Sequence, residues 1–334
     1  MLDKIQRYHP KYIDLKLDRM FRILDDLKNP HLSLPPTIHV AGTNGKGSTI
    51  SFLRGMLENN GLNVHAYTSP HLVNFNERIR LNGKLISEEI LTDILIQVDR
   101  INDGKEITFF EITTAAAFLA FSKIKADILL LEVGLGGRLD ATNVVPNVIA
   151  SIITEISFDH EHFLGNKLSL IAKEKSGIIK SGVPVITINH NNEINLEIEK
   201  IAKNCNAPLS VINKKSFIVE EDEFSFIHNN NRIKLPKPSL LGDHQLGNSA
   251  LAVTALILIS EKIDGIKLNT CFEGLKYSTW PARLQIIKEG KLFNIINNQN
   301  RLIILDGAHN LSGAKALRST LSEINREWLI IFGY

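Results

Sequence analysis

The sequence predicts an α/β protein: a phosphate-loop unit with a mainly parallel sheet flanked by helices and a small β insertion, followed by the start of a second Rossmann-like α/β domain. Three observations predict it. The apolar strand ending in Ala41 runs through the glycine-rich turn Gly42-Thr-Asn-Gly-Lys-Gly-Ser48 into Ile50, Leu53, Met56 and Leu57 at helical spacing. Short apolar runs then alternate with amphipathic ones, the βα repetition that builds parallel sheets covered on both faces. From Leu302 a strand, a turn and a helical pattern begin afresh.

Strands are expected at Ile38–Ala41, Asn63–Tyr67, Ile128–Val133, Val148–Thr154 and Val183–Ile188. Gly61 marks the end of the helix after the glycine-rich turn. Further helical patterns lie near Ser87–Ile101, Glu111–Lys123, Ser169–Lys180 and Glu193–Asn204. Leu209–Leu235 changes character: Phe217–Val219 and Phe224–Ile227 flank polar residues, with Asn229-Asn-Asn231 as a turn, which reads as a β-hairpin insertion. A helix from Asn248 to about Glu261 carries Leu251, Ala252, Ala255, Leu256 and Ile259 on one side. Leu302–Leu305 then leads into Asp306-Gly-Ala-His-Asn310, a helix from Ser312 and a strand at Trp328–Phe332. Two strands and a helix cannot bury both faces of a sheet, so 289–334 reads as the opening of a second domain, cut short, after a first domain over 1–288.

The composition is that of ordinary globular material, and at 334 residues with 44% hydrophobic and 22% charged content the chain has an ample core. A net charge of only +2, without a basic stripe interleaved with aromatics, argues against a nucleic-acid partner. Cys205 and Cys271 are far apart and lack metal-ligand spacing, which suits a reducing compartment. No N-terminal apolar segment of the export type and no run of about 18 apolar residues is seen, so no membrane association is expected and the protein is placed in the cytoplasm; a monomer is expected.

A strand–turn–helix junction aims backbone N–H groups and a helix dipole at an anion. With Lys46 as a point charge and Ser48 or Thr49 as a hydroxyl, a nucleoside triphosphate is the natural ligand. The generic phosphate-loop pattern is not met, because Val40 replaces its first glycine and Gly47 separates Lys46 from Ser48; a tight βα turn with incidental glycines is the plainer alternative. Glu132 interrupts an apolar run, where a carboxylate is costly unless paired or bound to a cation. Asp159-His160 and His162 follow another strand, as metal ligands or as hydrogen-bonded polar residues. Gly134-Leu-Gly-Gly-Arg-Leu-Asp-Ala-Thr-Asn143 superficially matches a dinucleotide fingerprint, yet Asn143 and Pro146 leave no room for its helix.

Taken in series, Ala41-Gly-Thr-Asn-Gly-Lys-Gly-Ser48, Tyr67-Thr-Ser-Pro-His71, Phe75-Asn-Glu-Arg-Ile79, Leu131-Glu-Val and the following Gly134–Asn143, Asp159-His160, Glu174-Lys-Ser-Gly-Ile178, Gly242-Asp-His-Gln245 and Leu305-Asp-Gly-Ala-His-Asn310 resemble folylpolyglutamate synthase of the Mur ligase superfamily, over essentially the whole chain. Ile13-Asp-Leu-Lys-Leu-Asp-Arg-Met20 further resembles bacterial members that are also dihydrofolate synthases. The resemblance implies a Mur-type central ATPase domain followed by a glutamate-ligase domain. It implies ATP-driven amide formation between dihydropteroate or a reduced folate and L-glutamate, through an acyl phosphate. Another Mur-type amino-acid ligase and a non-catalytic nucleotide-binding module are the alternatives.

By the same resemblance, Asn44, Gly45, Lys46, Gly47 and Ser48 wrap the triphosphate, and Asn248, Arg283 and Asp306 contact the nucleotide. Ser69 and Glu132 match the holders of a first Mg²⁺, and Glu132 and His160 those of a second. Lys175 matches a lysine carried as a carbamate, whose anionic oxygen suits a site beside Mg²⁺ where an ammonium would be repelled. Catalysis is thus assigned to Lys46, Lys175 and His160. Asp18, Arg19, Thr108, Phe110, Asp140 and Ala141 match positions near the pterin, where Phe110 offers a stacking ring. Lys16 stands where the comparable bacterial motif commonly has glycine. Plainer roles are a helix N-cap for Asn248, a solvated turn charge for Arg283, a surface lysine for Lys175 and core packing for Phe110.

Overall fold

The computed structural model describes residues 1–6, 15–296, 301–324 and 326–333. Ile13 and Asp14, which open the N-terminal motif, lie outside the described residues. In chain order the main sheet comprises β1 (Thr37–Ala41), β2 (Val64–Tyr67), β3 (Ile79–Leu81), β4 (Lys84–Leu85), β5 (Ile128–Glu132), β6 (Val148–Ile153), β7 (Val185–Ile188) and β8 (Leu209–Ile212). Its spatial order is β4-β3-β2-β5-β1-β6-β7-β8. All neighbours from β2 to β8 pair in parallel, while β3 and β4 add an antiparallel edge. The sheet is thus mainly parallel, as the βα repetition predicts.

Helices cover both faces. They are α1 (Leu2–Gln6), α2 (Asp18–Asp26), α3 (Lys46–Asn59), α4 (Glu88–Asn102), α5 (Phe109–Lys123), α6 (Glu161–Leu164), α7 (Leu168–Ser176) and α8 (Asn192–Asn204), followed by α9 (His244–Ile259) and α10 (Leu268–Glu273). Ile38, Val40, Leu130 and Ile152 bury one face of the sheet against α3 and α9, while Leu129 and Leu131 bury the other against α2, α4 and α5. Burial on both sides is why Ile128-Leu-Leu-Leu131 is uniformly apolar instead of alternating. Each such buried aliphatic side chain contributes roughly 1.5–3 kcal/mol.

Three local readings are corrected. Leu209–Ile212 is not part of the insertion but the parallel edge strand β8, paired along its length with β7. The insertion is three-stranded, β9 (Ile218–Val219), β10 (Glu223–His228) and β11 (Asn231–Pro236), with Asn229 and Asn230 both at positive φ in the turn. Phe217, Phe224 and Phe226 cluster with ring centroids 6.1–6.4 Å apart and seat this small sheet on the α9 side of the core. The α9 helix begins at His244, so Asn248 is one turn inside it and is no N-cap. Trp328–Phe332 is not a strand; Leu329, Ile331 and Phe332 are each more than four-fifths exposed and pair with nothing described. An apolar run becomes a strand only where a neighbouring strand takes its hydrogen bonds.

Beyond α10, β12 (Gln285–Ile286) pairs antiparallel with β13 (Ile304–Leu305), with α11 (Lys291–Ile296) between them and α12 (Leu311–Glu323) after them. Gly307 N donates to Ala282 O at 2.9 Å, and Asp306 Oδ2 accepts Leu284 N at 2.8 Å. These bonds hold the Asp306–Asn310 turn beside the Trp280–Leu284 segment. Among the described residues no helix is long and apolar enough to cross a membrane.

Candidate active site

The carboxyl ends of β5, β1 and β6, three adjacent strands, converge where the strand order reverses, the place at which parallel sheets bind ligands. β1 delivers the glycine-rich loop to the N-terminus of α3, β5 ends in Glu132, and β6 leads to Glu155, Asp159 and His160. Thr154 Oγ1 donates to Asn44 O at 2.7 Å, and Thr43 N donates to Glu155 O at 2.7 Å, so the β6 terminus braces the loop. Gly47 is required by a close approach: a Cβ there would lie 2.7–3.0 Å from the Trp280 indole. That explains why glycine separates Lys46 from Ser48. The local departure from the generic phosphate loop makes room for a ring.

Lys46 Nζ donates to Gly42 O at 3.0 Å and Thr43 O at 3.1 Å, curling over its own loop. Lys175 Nζ reaches the same Gly42 oxygen at 3.0 Å from α7. Lys175 is only 4% exposed, so the surface-lysine reading is wrong. Burial, with Lys46 next in effect, pushes its pKa down to about 7. Glu132, 3% exposed, has the reverse problem: burial pushes its carboxyl up to about 7, against the opposing pull of Lys46, a hydrogen bond from Ser69 N at 3.1 Å, and the charges of Arg283 and Arg78.

Two cavities share Asn44, Gly45, Arg283 and His309 in their walls. One, about 540 Å³, is lined by Lys46, Ser69, Arg78, Glu132, His160 and Lys175 together with Lys16, Thr108, Phe110, Asp140 and Ala141. The other, about 370 Å³, is lined by Ser48, Glu155, Lys214, His244, Asn248 and Asp306. The phosphate loop sits between them. His160, in the left-handed region at φ 50°, heads the short α6 with its ring half exposed and Nε2 3.8 Å from Asp159 Oδ2. Asn248 Nδ2 donates to Gln245 Oε1 at 2.9 Å and its side chain abuts Gly45. Arg283, partly exposed, lines both cavities.

The Gly134–Asn143 loop works as a clamp. Asp140 Oδ2 accepts Leu135 N at 2.8 Å, and its Oδ1 accepts Thr142 N at 3.0 Å and Thr142 Oγ1 at 2.5 Å. Because the Thr142 hydroxyl proton goes to Asp140, His39 Nε2, 2.8 Å behind it, is the donor of that pair. His39 is fully buried and burial pushes its pKa to about 3, so the ring is neutral and Nε2 carries its proton. On the other side Asn143 Nδ2 donates to Arg138 O and Gly177 O, both at 3.0 Å, and Arg138 N donates to Glu174 O at 2.8 Å. A Cβ on Gly137 would lie 2.7 Å from Glu174 O and 2.8 Å from Lys175 O. The loop and the end of α7 therefore touch backbone to backbone, which sets where Lys175 starts.

The substrate-side residues divide. Thr108 N-caps α5, its Oγ1 accepting Glu111 N at 3.1 Å while Glu111 Oε2 accepts Thr108 N at 2.7 Å. Arg19 Nε and Nη2 grip the same Glu111 at 2.9 and 3.1 Å. Phe110 packs against Gly134 and Tyr67, with a wall of its ring in the larger cavity. Asp18 is exposed and does not line that cavity. Sequence reading missed Arg78, Glu111, Glu155, His309 and Asn310. Arg78 and His309 stand within quoted motifs, so the signal was present; Glu155 carried none.

The Mur ligase middle domain model matches residues 40–256. A dihydrofolate synthase/folylpolyglutamate synthase of Bacillus subtilis is 37% identical over 322 residues, covering 92% of this chain and 72% of that protein. A dihydrofolate synthetase of Saccharomyces cerevisiae is 38% identical over 316 residues, covering 91% of this chain and 71% of that protein. Among solved structures, E. coli FolC in complex with DHPP and ADP superposes with a TM-score of 0.85 at 30% identity, covering 98% of this chain and 74% of that one. An FPGS–AMPPCP–folate complex superposes at 0.83 with 29% identity, covering 98% and 81%.

Proposed function

The chain belongs to the dihydrofolate synthase/folylpolyglutamate synthase family of Mur-type ligases, and from that premise we propose how its residues divide the reaction. It is an ATP-dependent ligase that joins dihydropteroate or a reduced folate to L-glutamate. The observation that carries the division of labour is the phosphate loop flanked by two cavities, one with Asn248 and Asp306, the other with Glu132, Phe110 and Asp140. The nucleotide takes the first, its phosphates cross the N-terminus of α3, and the pterin carboxylate approaches from the second.

A substrate carboxylate oxygen attacks the γ-phosphorus and the bond to ADP breaks, leaving an acyl phosphate. The glutamate amine then adds to the acyl carbon, phosphate departs with the acyl oxygen electrons, and the amine gives up a proton. Lys46 exchanges its loop carbonyls for the transferred phosphate, and the α3 amides hold the β-phosphate side. Arg78 and Arg283 line the cavity where negative charge accumulates.

The donor set suits Mg²⁺. Glu132 is a buried carboxylate whose pKa stays raised even with Lys46, Arg283 and Arg78 acting on it, and Ser69 N donates to it at 3.1 Å. Mg²⁺ is commonly held by one or two protein oxygens together with phosphate oxygens and water, which a buried carboxylate beside a hydroxyl can provide. Ser69 and Glu132 would hold one ion, and Glu132 with His160 a second. Bound there, Mg²⁺ neutralises charge on the phosphoryl oxygens.

Lys175 is assigned a carbamate. Its pKa of about 7 leaves a neutral amine fraction at physiological pH; that amine adds to CO₂, the N–C bond forms and a proton leaves. The product is an oxygen anion where the cations would sit. Release of ADP dependent on both dihydropteroate and glutamate, repeated with reduced folates, tests the reading. ADP release without a pterin acceptor, or no ADP release with any of these acceptors, sinks it.

A further inference from the structure

Side chains tie the phosphate loop directly to the Asp306–Glu323 unit. Asn44 and Asn310 face each other amide to amide: Asn44 Nδ2 donates to Asn310 Oδ1 at 3.2 Å, and Asn310 Nδ2 donates to Asn44 Oδ1 at 3.0 Å. Glu155 closes the ring. Its Oε2 accepts Asn44 Nδ2 at 2.9 Å and its Oε1 accepts Ser312 Oγ at 2.8 Å. Glu155 is itself held to the loop, because its carbonyl accepts Thr43 N at 2.7 Å. Asn310 also caps α12, accepting Gly313 N at 2.9 Å.

The smaller cavity has one wall from the loop, at Asn44, Gly45 and Ser48, and another from the far unit, at Asp306, His309 and Ser312. A wall contributed by a separate unit helps binding only as far as it is already in place; otherwise part of the interaction energy goes into ordering it. We propose that Glu155, Asn310 and Ser312 are positioning residues that dock α12 onto Asn44 and set the second wall of the nucleotide cavity before nucleotide arrives. The inference rests on the nucleotide reading of the phosphate loop.

Asn310→Asp separates the docking role from the cap. Aspartate caps a helix as well as asparagine, but it lacks the amide donor to Asn44 and places a charge beside Glu155. With a fluorescent ATP analogue and Mg²⁺, Asn310→Asp is expected to bind about tenfold more weakly than wild type, and Ser312→Ala about threefold. Ser312→Ala combined with Glu155→Ala should lose less than the product of the two single losses, since the Ser312–Glu155 bond is lost in each. Equal or tighter binding by Asn310→Asp overturns the proposal. Hydrogen exchange on nucleotide-free protein gives a second readout: the Thr43 and Asn44 amides and the first turn of α12 should exchange faster in Asn310→Asp, with the rest of α12 protected. Unchanged exchange there overturns the docking role by itself. If wild type binds no analogue, the nucleotide reading fails instead, and the exchange result still decides the latch.

Discussion

Lys46 and Lys175, from opposite sides of the loop, share one acceptor: each ammonium lies 3.0 Å from the Gly42 carbonyl oxygen. Two cations on one oxygen repel, and burial, with Lys46 next in effect, pushes the pKa of Lys175 down to about 7. One of the pair is therefore easily neutral. The site is prepared to change the chemistry of Lys175.

Lys175 depends on pH in a definite direction. Its pKa of about 7 makes the CO₂-reactive neutral amine scarce at pH 6 and dominant at pH 8. Enzyme stripped of CO₂ and re-exposed to it should regain activity about tenfold faster at pH 8 than at pH 6, at equal dissolved CO₂. Lys175→Ala should lose ligation and recover part of it with acetate or formate, while Lys175→Arg should stay inactive. An active Lys175→Arg enzyme, or a flat recovery rate across this range, would refute the carbamate.

Lys46→Ala should lower turnover by at least about two orders of magnitude, the usual cost of removing a preorganised charge-stabilising group. Steady-state ADP release by correctly folded variant protein measures this. Near-normal turnover would move the transferred phosphate elsewhere.

Glu132 trades stability for function. Its folded pKa of about 7 exceeds the ordinary glutamate value of 4.5, so the native state binds more protons than the unfolded state between those values. Stability is thus lost as pH rises from 4.5 to 7, by on the order of 3 kcal/mol in total, and is constant above. Glu132→Gln should melt higher than wild type at pH 8 in metal-free buffer, with the gap closing towards pH 5, and should be inactive. Thermal melts that show no pH-dependent gap would contradict the burial argument.

Gly47→Ala should weaken nucleotide binding by roughly tenfold, because the new methyl meets the Trp280 ring and pushes the α3 N-terminus or the indole aside. Trp280→Leu in the same protein should restore part of the affinity. Failure of the pair to recover anything would show that Gly47 serves the phosphate directly instead of the ring.

Gly137→Ala tests the clamp. A methyl facing two main-chain oxygens of α7 cannot be absorbed by a rotamer change, so α7 must shift, and Lys175 with it. A displacement near 1 Å lowers turnover by about a hundredfold. Nucleotide affinity should fall far less than turnover, because Lys46, Asn44 and Thr154 still brace the phosphate loop when Lys175 leaves Gly42 O. Equal losses in both quantities would mean general unfolding and would discard the clamp.

The sheet and the phosphate loop were legible because strands buried on two faces leave continuous apolar runs, and because a glycine-rich turn after such a run has few other uses. Glu132 stood out as a charge inside one of those runs. Glu155 did not: a glutamate after an apolar strand looks like ordinary surface until α12 is packed against it. Arg19 was legible as a residue but not as half of a fork on Glu111, a pairing made by docking α2 on α5. β8 was misread because its Ser210 and half-exposed residues carry the weak pattern of an edge strand, and only β7 beside it shows what it is.

The position of β1 has a consequence for how the molecule is assembled. Its two neighbours, β5 and β6, are made long after it: Thr37 pairs with Leu129, and Ala41 with Ile153. During synthesis the glycine-rich loop emerges early, yet both edges of its strand stay open until those distant segments arrive. Such non-local pairing is slow to form and leaves apolar edges available to wrong partners in the meantime. The ligand site therefore matures with β5 and β6, not with the loop that marks it, and protection of the loop from protease reports completion of the β5-β1-β6 centre of the sheet.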